Sequence, residues 1–201
     1  MSRIDKVAAL MKPERLWSRA EVRSRPSPVP RVAGVYAWYF LRPPAGVSTR
    51  DCHKIRGAAL LYVGISPKPP PANGAAPSRQ TLCGRIRCHF SGNAAGSTLR
   101  LTLGCLLAET LGIELRRVGS GRRLTFADGE QRLSEWMDRN ARVCWMPVEQ
   151  PWTIEEQLIS KLSLPLNLRS NERHSFHPVL TEIRRDHRYR ANTLPIWKRS
   201  E

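Results

Sequence analysis

Residues 32–40 read VAGVYAWYF, and residues 60–65 read LLYVGI. Both stretches are short, rich in β-branched and aromatic side chains, and bounded by segments rich in proline, glycine and serine, which is typical of buried β-strands. Because side chains alternate between the two faces of a strand, Tyr36 shares a face with Gly34, and Tyr62 shares a face with Gly64. Two such strands side by side would bring two phenols together, with the glycines leaving room beside them.

Three further motifs follow these strands along the chain: LCGRIRCHF at 82–90, TIEEQLI at 153–159 and PLN at 165–167. The motifs together supply an ordered set of polar residues: Tyr36, Tyr62, Arg85, Glu155 and Asn167. No single motif is specific, but the ordered set resembles the GIY-YIG nuclease family, which includes homing endonucleases, some restriction enzymes and the nuclease half of a bacterial excision-repair enzyme. The resemblance covers about residues 32–167, with insertions, and leaves both ends unassigned.

The resemblance implies a metal-dependent endonuclease that hydrolyses phosphodiester bonds in DNA and leaves 5′-phosphate and 3′-hydroxyl ends. It places one Mg²⁺ on Glu155, with Mn²⁺ as the alternative ion, and it places Arg85 beside the phosphate. One phenol would orient or activate the attacking water, and the other would support the phosphate or the metal-bound waters. Asn167 would fix the local backbone or help to place the phosphate.

Two residues near these motifs leave the identity of the general base open. Many relatives carry a lysine directly after the second tyrosine motif, whereas this chain has Ile65, and Lys68 is the nearest substitute. His89 follows Arg85 by four residues and shares its helix face. This histidine would either relay a proton or serve as a satisfied, partly buried ring. Lys68 or His89 would then share the role of base with the phenols.

Helix geometry distinguishes two adjacent glutamates. Thr153 and Glu156 have the spacing of a capping box, so Glu156 is explained as a helix cap. Glu155 instead shares a face with Leu158 and Ile159. A carboxylate on an apolar face must meet a cation or a metal, because an unpaired buried charge is costly. We therefore predict that Glu155 is the metal ligand; the alternative is a structural salt bridge to an arginine.

The spacing of apolar residues predicts an α/β (α+β) fold, with a small, mostly antiparallel central sheet of about three strands flanked by helices. Helices are predicted at 4–11, 81–91, 99–111, from 128 to about 139, from 153 and near 178, and further strands at 113–118, 123–126 and 141–148. We divide the chain into an N-terminal helix and proline-rich linker (1–30), a nuclease-like domain (31–168) with insertions at 41–59 and 113–148, and a basic C-terminal appendage (169–201).

Positive charge is the unusual feature of the composition, since 33 lysines and arginines face 17 acidic residues, a formal net charge of +16. Such an excess favours a polyanionic partner, with DNA as first choice and RNA as second, over a nonspecifically basic protein. The cations predicted to contact nucleic acid are Lys68, Arg87, Arg100, Arg169, Arg173, Arg184 and Arg185. A glycine-rich turn at 92–97, together with Arg100, is a weaker candidate for binding a phosphate.

Location and partners follow from simpler features. The longest apolar runs fall far short of the ~20 residues needed to span a membrane, and the first residues lack the apolar segment of a secretory signal. Five cysteines form an odd and sparse set, which predicts reduced thiols in a cytoplasmic protein without membrane contact. The spacing of Cys83, Cys88 and His89 is not a usual zinc pattern, so packing is favoured there.

Two other functions stay open at this point. The chain could be a basic nucleic-acid-binding module with a catalytically inactive nuclease core, which would bind without cutting. It could instead be a nuclease that acts on RNA. The sequence carries no readable motif for dimerisation.

Overall fold

The computed structural model describes residues 8–73, 76 and 78–198. In chain order the elements are α1 (Arg19–Arg23), β1 (Gly34–Phe40), β2 (Lys54–Ile55), β3 (Ala58–Ser66), α2 (Leu82–Ser91), α3 (Thr98–Leu106), α4 (Ala108–Leu111), β4 (Arg116–Val118), β5 (Arg123–Thr125), α5 (Gly129–Asn140), β6 (Ala141–Pro147), α6 (Trp152–Lys161) and α7 (His177–Thr193). Residues 8–11 are helical, and the rest of the helix predicted at 4–11 lies outside the described residues. None of the described helices is long and apolar enough to cross a membrane.

The central sheet has the strand order β2-β3-β1-β6, and every pair in it is antiparallel. This confirms the predicted α/β fold with a small antiparallel sheet and flanking helices. The sheet has four strands rather than about three, because the insertion at 41–59 contains β2. A strand of two residues has no periodicity that a sequence pattern could detect. Strands β4 and β5 form a separate two-stranded sheet.

The register of β1 and β3 brings the two tyrosines to the same face of the sheet. Tyr36 lies opposite Gly64, and Trp38 lies opposite Tyr62. A Cβ atom added at Gly64 would lie 2.5 Å from the hydroxyl oxygen of Tyr36. The glycine of the second motif therefore leaves the space that the phenol of the first motif occupies, as the sequence predicts.

Both faces of β1 are buried, so the strand lies at the centre of the molecule. Tyr36, Trp38 and Phe40 belong to a core cluster that α2, α3, α5 and α7 cover. Val35 and Ala37 belong to a second cluster on the opposite face, covered by α6 and by residues 8–11. The first tyrosine motif of the sequence thus lies on a strand that is buried along its whole length.

The start of α6 differs from the prediction. Helix α6 begins at Trp152 with Pro151 at the N-cap position and without a side-chain cap. The Thr153 hydroxyl instead donates to the Gln150 carbonyl at 3.1 Å. The predicted capping box with Glu156 is therefore wrong, because proline, with its fixed φ and missing N–H, already sets the entry into the helix.

The described parts of both ends pack against the sheet and its helices. Trp17 forms two backbone hydrogen bonds with Val143 and so continues the sheet beyond β6. Val29, in the stretch predicted as an extended linker, is 3% exposed. At the other end, α7 packs on α3, and the Trp197 amide donates to the Arg117 carbonyl of β4 at 2.8 Å.

Candidate active site

One cleft of about 170 Å³ opens between β3, α2, α6 and the segment that follows residue 165. It is lined by all five residues of the ordered set: Tyr36, Tyr62, Arg85, Glu155 and Asn167. Lys68 and Arg169 also line it. A larger hollow of about 540 Å³ near Val32 and Pro147 has Glu149 as the single ionisable residue of its lining. The smaller cleft therefore holds the residues that could carry chemistry.

The two phenols lie deep in this cleft. Tyr36 is 1% exposed and Tyr62 is 9% exposed. Burial raises the pKa of Tyr36 well above its usual value, although the neighbouring Arg85 opposes the rise. Burial also raises the pKa of Tyr62 to about 12. Both hydroxyls are therefore neutral at physiological pH and can serve as hydrogen-bond donors or acceptors.

Arg85 projects from α2, which is anchored to the sheet by the buried side chains Leu82, Ile86 and Phe90. Its Nη1 atom donates to the Gly96 carbonyl at 2.8 Å. This bond ties the guanidinium to the turn at 92–97, between α2 and α3. The sequence makes this turn a weaker candidate for binding a phosphate; in the structure its Gly96 carbonyl holds Arg85.

His89 lies behind Tyr36 and is completely buried. Its Nε2 atom lies 2.9 Å from the Tyr36 hydroxyl oxygen, and its Nδ1 atom lies 2.6 Å from the Ser97 hydroxyl oxygen. Burial, and then the positive charges of Arg85 and Arg100, hold the pKa of His89 well below its usual value. The ring is therefore neutral at neutral pH. The contact between Ser97 and this histidine was not foreseen from the sequence.

Glu155 extends from α6 into the cleft, whereas Glu156 is exposed at its rim. Burial raises the pKa of Glu155 to about 7, and the charges of Arg169, Lys68 and Arg85 oppose the rise. Within the described part of the chain, the Glu155 carboxylate forms no hydrogen bond and no ion pair. The described structure therefore does not contain the predicted alternative, a structural salt bridge between Glu155 and an arginine.

Asn167 holds the backbone of β3 from its open edge. Its Oδ1 atom accepts a hydrogen bond from the Val63 amide, and its Nδ2 atom donates to the Val63 carbonyl, both at 2.9 Å. The Leu166 amide donates to the Leu61 carbonyl at 3.0 Å in the same way. Asn167 thus fixes the strand between Tyr62 and the neighbouring glycine, which matches the backbone alternative of the prediction.

Two of the predicted nucleic-acid contacts are not available to a ligand. Arg100 is completely buried, and its Nη2 atom pairs with the Glu130 carboxylate at 2.7 Å. Arg184 is 8% exposed on the inner side of α7. The prediction that these two arginines bind phosphate is therefore wrong, because both belong to the packed interior.

The other cations predicted to contact nucleic acid differ in whether their side chains already bind other parts of the protein. Arg87 donates to the backbone carbonyls of Val22 and Ser24. Arg185 pairs with Glu182 at 3.0 Å and with its neighbour Asp186 at 3.6 Å. The remaining three are exposed and form no ion pair or hydrogen bond with any other described residue: Lys68, Arg169 and Arg173.

A comparison with protein families finds one match: the family model described as the GIY-YIG catalytic domain matches residues 34–186. This range covers well over half of the chain and includes all five residues of the ordered set. No curated protein and no solved structure matches the chain significantly.

Proposed function

The chain belongs to the GIY-YIG catalytic domain family of nucleases, and we propose that it is a metal-dependent DNA endonuclease that leaves 5′-phosphate and 3′-hydroxyl ends. One observation carries the proposal. Five separate parts of the chain bring two phenols, a guanidinium, a carboxylate and an amide into a single cleft. Cations at the rim of this cleft and the formal net charge of +16 suit a polyanionic substrate.

The residues present fit a divalent cation that is completed by the substrate. Glu155 is a carboxylate in a partly desolvated position with no partner among the described residues, and such a group calls for a cation. No group of three histidine, cysteine or acidic side chains that could hold a metal gathers anywhere in the described ranges, the cleft included. Mg²⁺ is often held by one or two carboxylates together with substrate phosphates and waters, so Glu155 would hold it. The ion would supply charge neutralisation at the phosphate and at the leaving 3′ oxygen, and Mn²⁺ is the alternative.

The other side chains act on the phosphate and the water directly. Arg85, held in place by the Gly96 carbonyl, stabilises the charge that develops on the non-bridging oxygens. Tyr36 and Tyr62 orient the attacking water and the phosphate through their neutral hydroxyls. Asn167 keeps the strand that carries Tyr62 in position, so it acts on the geometry of the site rather than on the reacting atoms.

The rim of the cleft provides the contacts to the nucleic-acid backbone. Lys68 and Arg169 both line the cleft, and their charges act on Glu155. Arg173 is exposed a few residues further along the chain. Because these cations form no salt bridge with a described acidic residue, we expect them to contact phosphates without breaking an ion pair.

The proposal is tested by nicking of a supercoiled plasmid with Mg²⁺ and with EDTA. Glu155→Gln preserves size and removes the charge, and Glu156→Gln is the matched control on the same helix. We expect Mg²⁺-dependent nicking that is lost in Glu155→Gln and kept in Glu156→Gln, with nicks that DNA ligase seals directly. Full activity in Glu155→Gln or in Arg85→Ala would contradict the site.

The same assay separates the alternative functions. Single-stranded RNA, linear DNA and branched DNA are offered in parallel under the same conditions. Preferential cutting of RNA would identify RNA as the substrate. Tight binding to all substrates without any cutting would identify a nucleic-acid-binding module with an inactive core.

A further inference from the structure

The polar chain behind the cleft joins Ser97, His89 and Tyr36, and the hydrogen atoms in it can be assigned. We infer that neutral His89 carries its proton on Nε2, that the Ser97 hydroxyl fixes this tautomer by donating to Nδ1, and that Tyr36 consequently directs its own hydroxyl proton into the cleft. The assignment concerns the resting protein. Its catalytic consequence rests on the proposed nuclease function.

The argument begins with Ser97, which has one hydroxyl donor and two acceptor lone pairs. As the N-cap residue of α3, its oxygen accepts the Arg100 amide at 3.1 Å. The residue is 1% exposed, so bulk water does not reach the hydroxyl. Among the described residues, the only acceptor that is hydrogen-bonded to this hydroxyl is His89 Nδ1, at 2.6 Å.

The opposite tautomer leaves a buried donor without a partner. If Nδ1 carried the proton, it would donate to the Ser97 oxygen, and the Ser97 hydroxyl proton would have no acceptor within the described structure. Buried donors without acceptors are rare because they lose the hydrogen bond that water gave them. Nδ1 is therefore the acceptor, and Nε2 carries the hydrogen of the neutral ring.

Unlike the Ser97 hydroxyl, the Tyr36 hydroxyl can donate its proton into the cleft. Its hydroxyl oxygen lies 2.9 Å from His89 Nε2 and accepts from it. The side chain lines the cleft beside Gly64, so its own proton can be donated to a substrate oxygen or to water in the cleft. The three groups then form one directed series of donors, from Ser97 through His89 to Tyr36 and outward.

The charges around His89 agree with a ring that stays neutral. The charged groups that act on it are Arg85, on its own helix, and Arg100, at the start of α3. Both are positive and disfavour an imidazolium. The other described polar neighbours are uncharged: Ser97 and Tyr36, with the Trp38 ring 5.7 Å and the Tyr62 ring 6.2 Å away.

The tautomer restricts what His89 can do in the reaction. Because Nε2 already carries a hydrogen, it cannot accept the proton of Tyr36 in the resting enzyme. In the resting protein Tyr36 is therefore a donor toward the cleft, where the phosphate and the water would bind. Should Tyr36 be ionised, His89 Nε2–H and the nearby Arg85 would stabilise the phenolate. Ser97 acts through His89, so it is a positioning residue.

The tautomer is measured directly on the ¹⁵N-labelled protein without substrate. Long-range ¹H–¹⁵N spectra at neutral pH distinguish a protonated from an unprotonated ring nitrogen, and His89→Gln assigns the signal among the five histidines. We expect a single neutral Nε2–H form. A dominant Nδ1–H form, an even mixture or an imidazolium would overturn the inference, whether or not the protein cleaves DNA.

Two variants of Ser97 test its positioning role. Ser97→Thr keeps the hydroxyl, whereas Ser97→Gly removes it at a small cost to the helix cap. We expect the threonine variant to retain the tautomer and kcat. In the glycine variant we expect mixed tautomers, an unchanged KM and kcat lowered about 10-fold, as for the loss of one hydrogen bond at the site. A pure Nε2–H form with full kcat in Ser97→Gly would overturn the role.

Discussion

At the scale of single residues, Gly64 shows how an absent side chain makes room for the chemistry. An added Cβ would lie 2.5 Å from the Tyr36 hydroxyl oxygen, so the phenol would have to leave its place beside His89. We expect Gly64→Ala to lower kcat for plasmid nicking by about 10-fold to 100-fold, because a small displacement at the reacting atoms has a large effect on rate. The measurement is the nicking rate at saturating DNA.

Gly84→Ala is the matched control for this substitution. The nearest atom to a Cβ at Gly84 is the Thr81 hydroxyl oxygen at 3.6 Å, an ordinary contact. Alanine is favoured over glycine in a helix by about 0.5–1 kcal/mol. We therefore expect Gly84→Ala to raise the melting temperature and to leave nicking unchanged. Equal activity of the two alanine variants would contradict the position of Tyr36 in the reaction.

Glu155 links the charge of the site to the stability of the fold. Burial raises the pKa of Glu155 to about 7 from an ordinary 4.5, so the folded state binds this proton more tightly than the unfolded state does. The cost of the charge is absent below pH 4.5, grows as the pH rises toward 7 and is fully present above it. We expect metal-free Glu155→Gln to have a free energy of unfolding about 1–3 kcal/mol above that of the wild type at pH 8.

Urea unfolding at both ends of this pH range measures the difference. At pH 4 the two proteins should have nearly the same stability, because Glu155 is then mostly protonated in both states. A gain that is equal at pH 4 and pH 8 would show that the effect of the substitution does not come from the charge.

At the residue scale, the sequence identified residues that lie together where the signal was local, and their catalytic roles stay predictions. The five residues of the ordered set each lie within a short pattern, and all of them line the cleft. The prediction that Arg100 contacts nucleic acid was wrong because its partner, Glu130, lies on a different helix. Composition does not distinguish a buried cation from an exposed one. The contact of Ser97 with His89 was missed because it depends on the path of the turn between them.

At the scale of elements, the turn at 92–97 is held by a carboxylate from α5. The Glu130 carboxylate accepts hydrogen bonds from the Ala94 amide at 2.7 Å and from the Phe126 amide at 3.1 Å, and it pairs with Arg100. Because Arg100 is completely buried, Glu130→Ala would leave an uncompensated charge inside the protein. We expect the free energy of unfolding to fall by about 3–5 kcal/mol, measured by urea denaturation.

Glu135→Ala on the same helix is the control. Its carboxylate accepts one hydrogen bond, from Gln131 at 2.8 Å, at the surface. We expect a change within about 0.5 kcal/mol, as for surface sites in general. Similar losses in the two variants would mean that Glu130 does not hold the turn.

Elements were predictable where apolar periodicity was long. The helix predicted at 81–91 is α2, and the strand predicted at 141–148 is β6. Helix α1 was missed, although Ser18 and Glu21 form the reciprocal capping box that its sequence spacing permits. The capping-box spacing was present in the sequence, but a helix of five residues is too short to show an apolar periodicity.

At the scale of the whole molecule, the free cations should determine how binding depends on salt. We expect DNA binding by the Glu155→Gln protein to weaken steeply with ionic strength, because bound phosphates release counterions. Lys68→Gln and Arg169→Gln should each reduce the slope of log K against log salt concentration by about 1. Fluorescence anisotropy with a labelled duplex over a salt series gives the slopes.

Arg87→Gln is the control for this series. Its guanidinium bonds the carbonyls of Val22 and Ser24, on the far side of α2 from the cleft. We expect its slope to match that of the parent protein. A reduction equal to that of Arg169→Gln would place the nucleic acid on a different surface.

The division of the chain into parts remains a proposal, but the described ends are integral to the packing. Val22 and Val29 from the N-terminal part and Leu180 and Ala191 from the C-terminal part are all at most 3% exposed. Their apolar residues are too sparse in the sequence to indicate this. Their burial depends on how the sheet and the helices pack together, which the sequence does not show.

The position of β1 between β3 and β6 has a consequence for the order in which the protein matures on the ribosome. Gly34 pairs with Ser66 on one side and with Pro147 on the other. The first hairpin can form early, but β6 can pair with β1 only after residues 141–147 have been synthesised, and such distant pairing is slow. Glu155 and Asn167 emerge later still. A growing chain therefore carries both tyrosines long before it has a complete cleft, and we expect cleavage only after Asn167 has been synthesised.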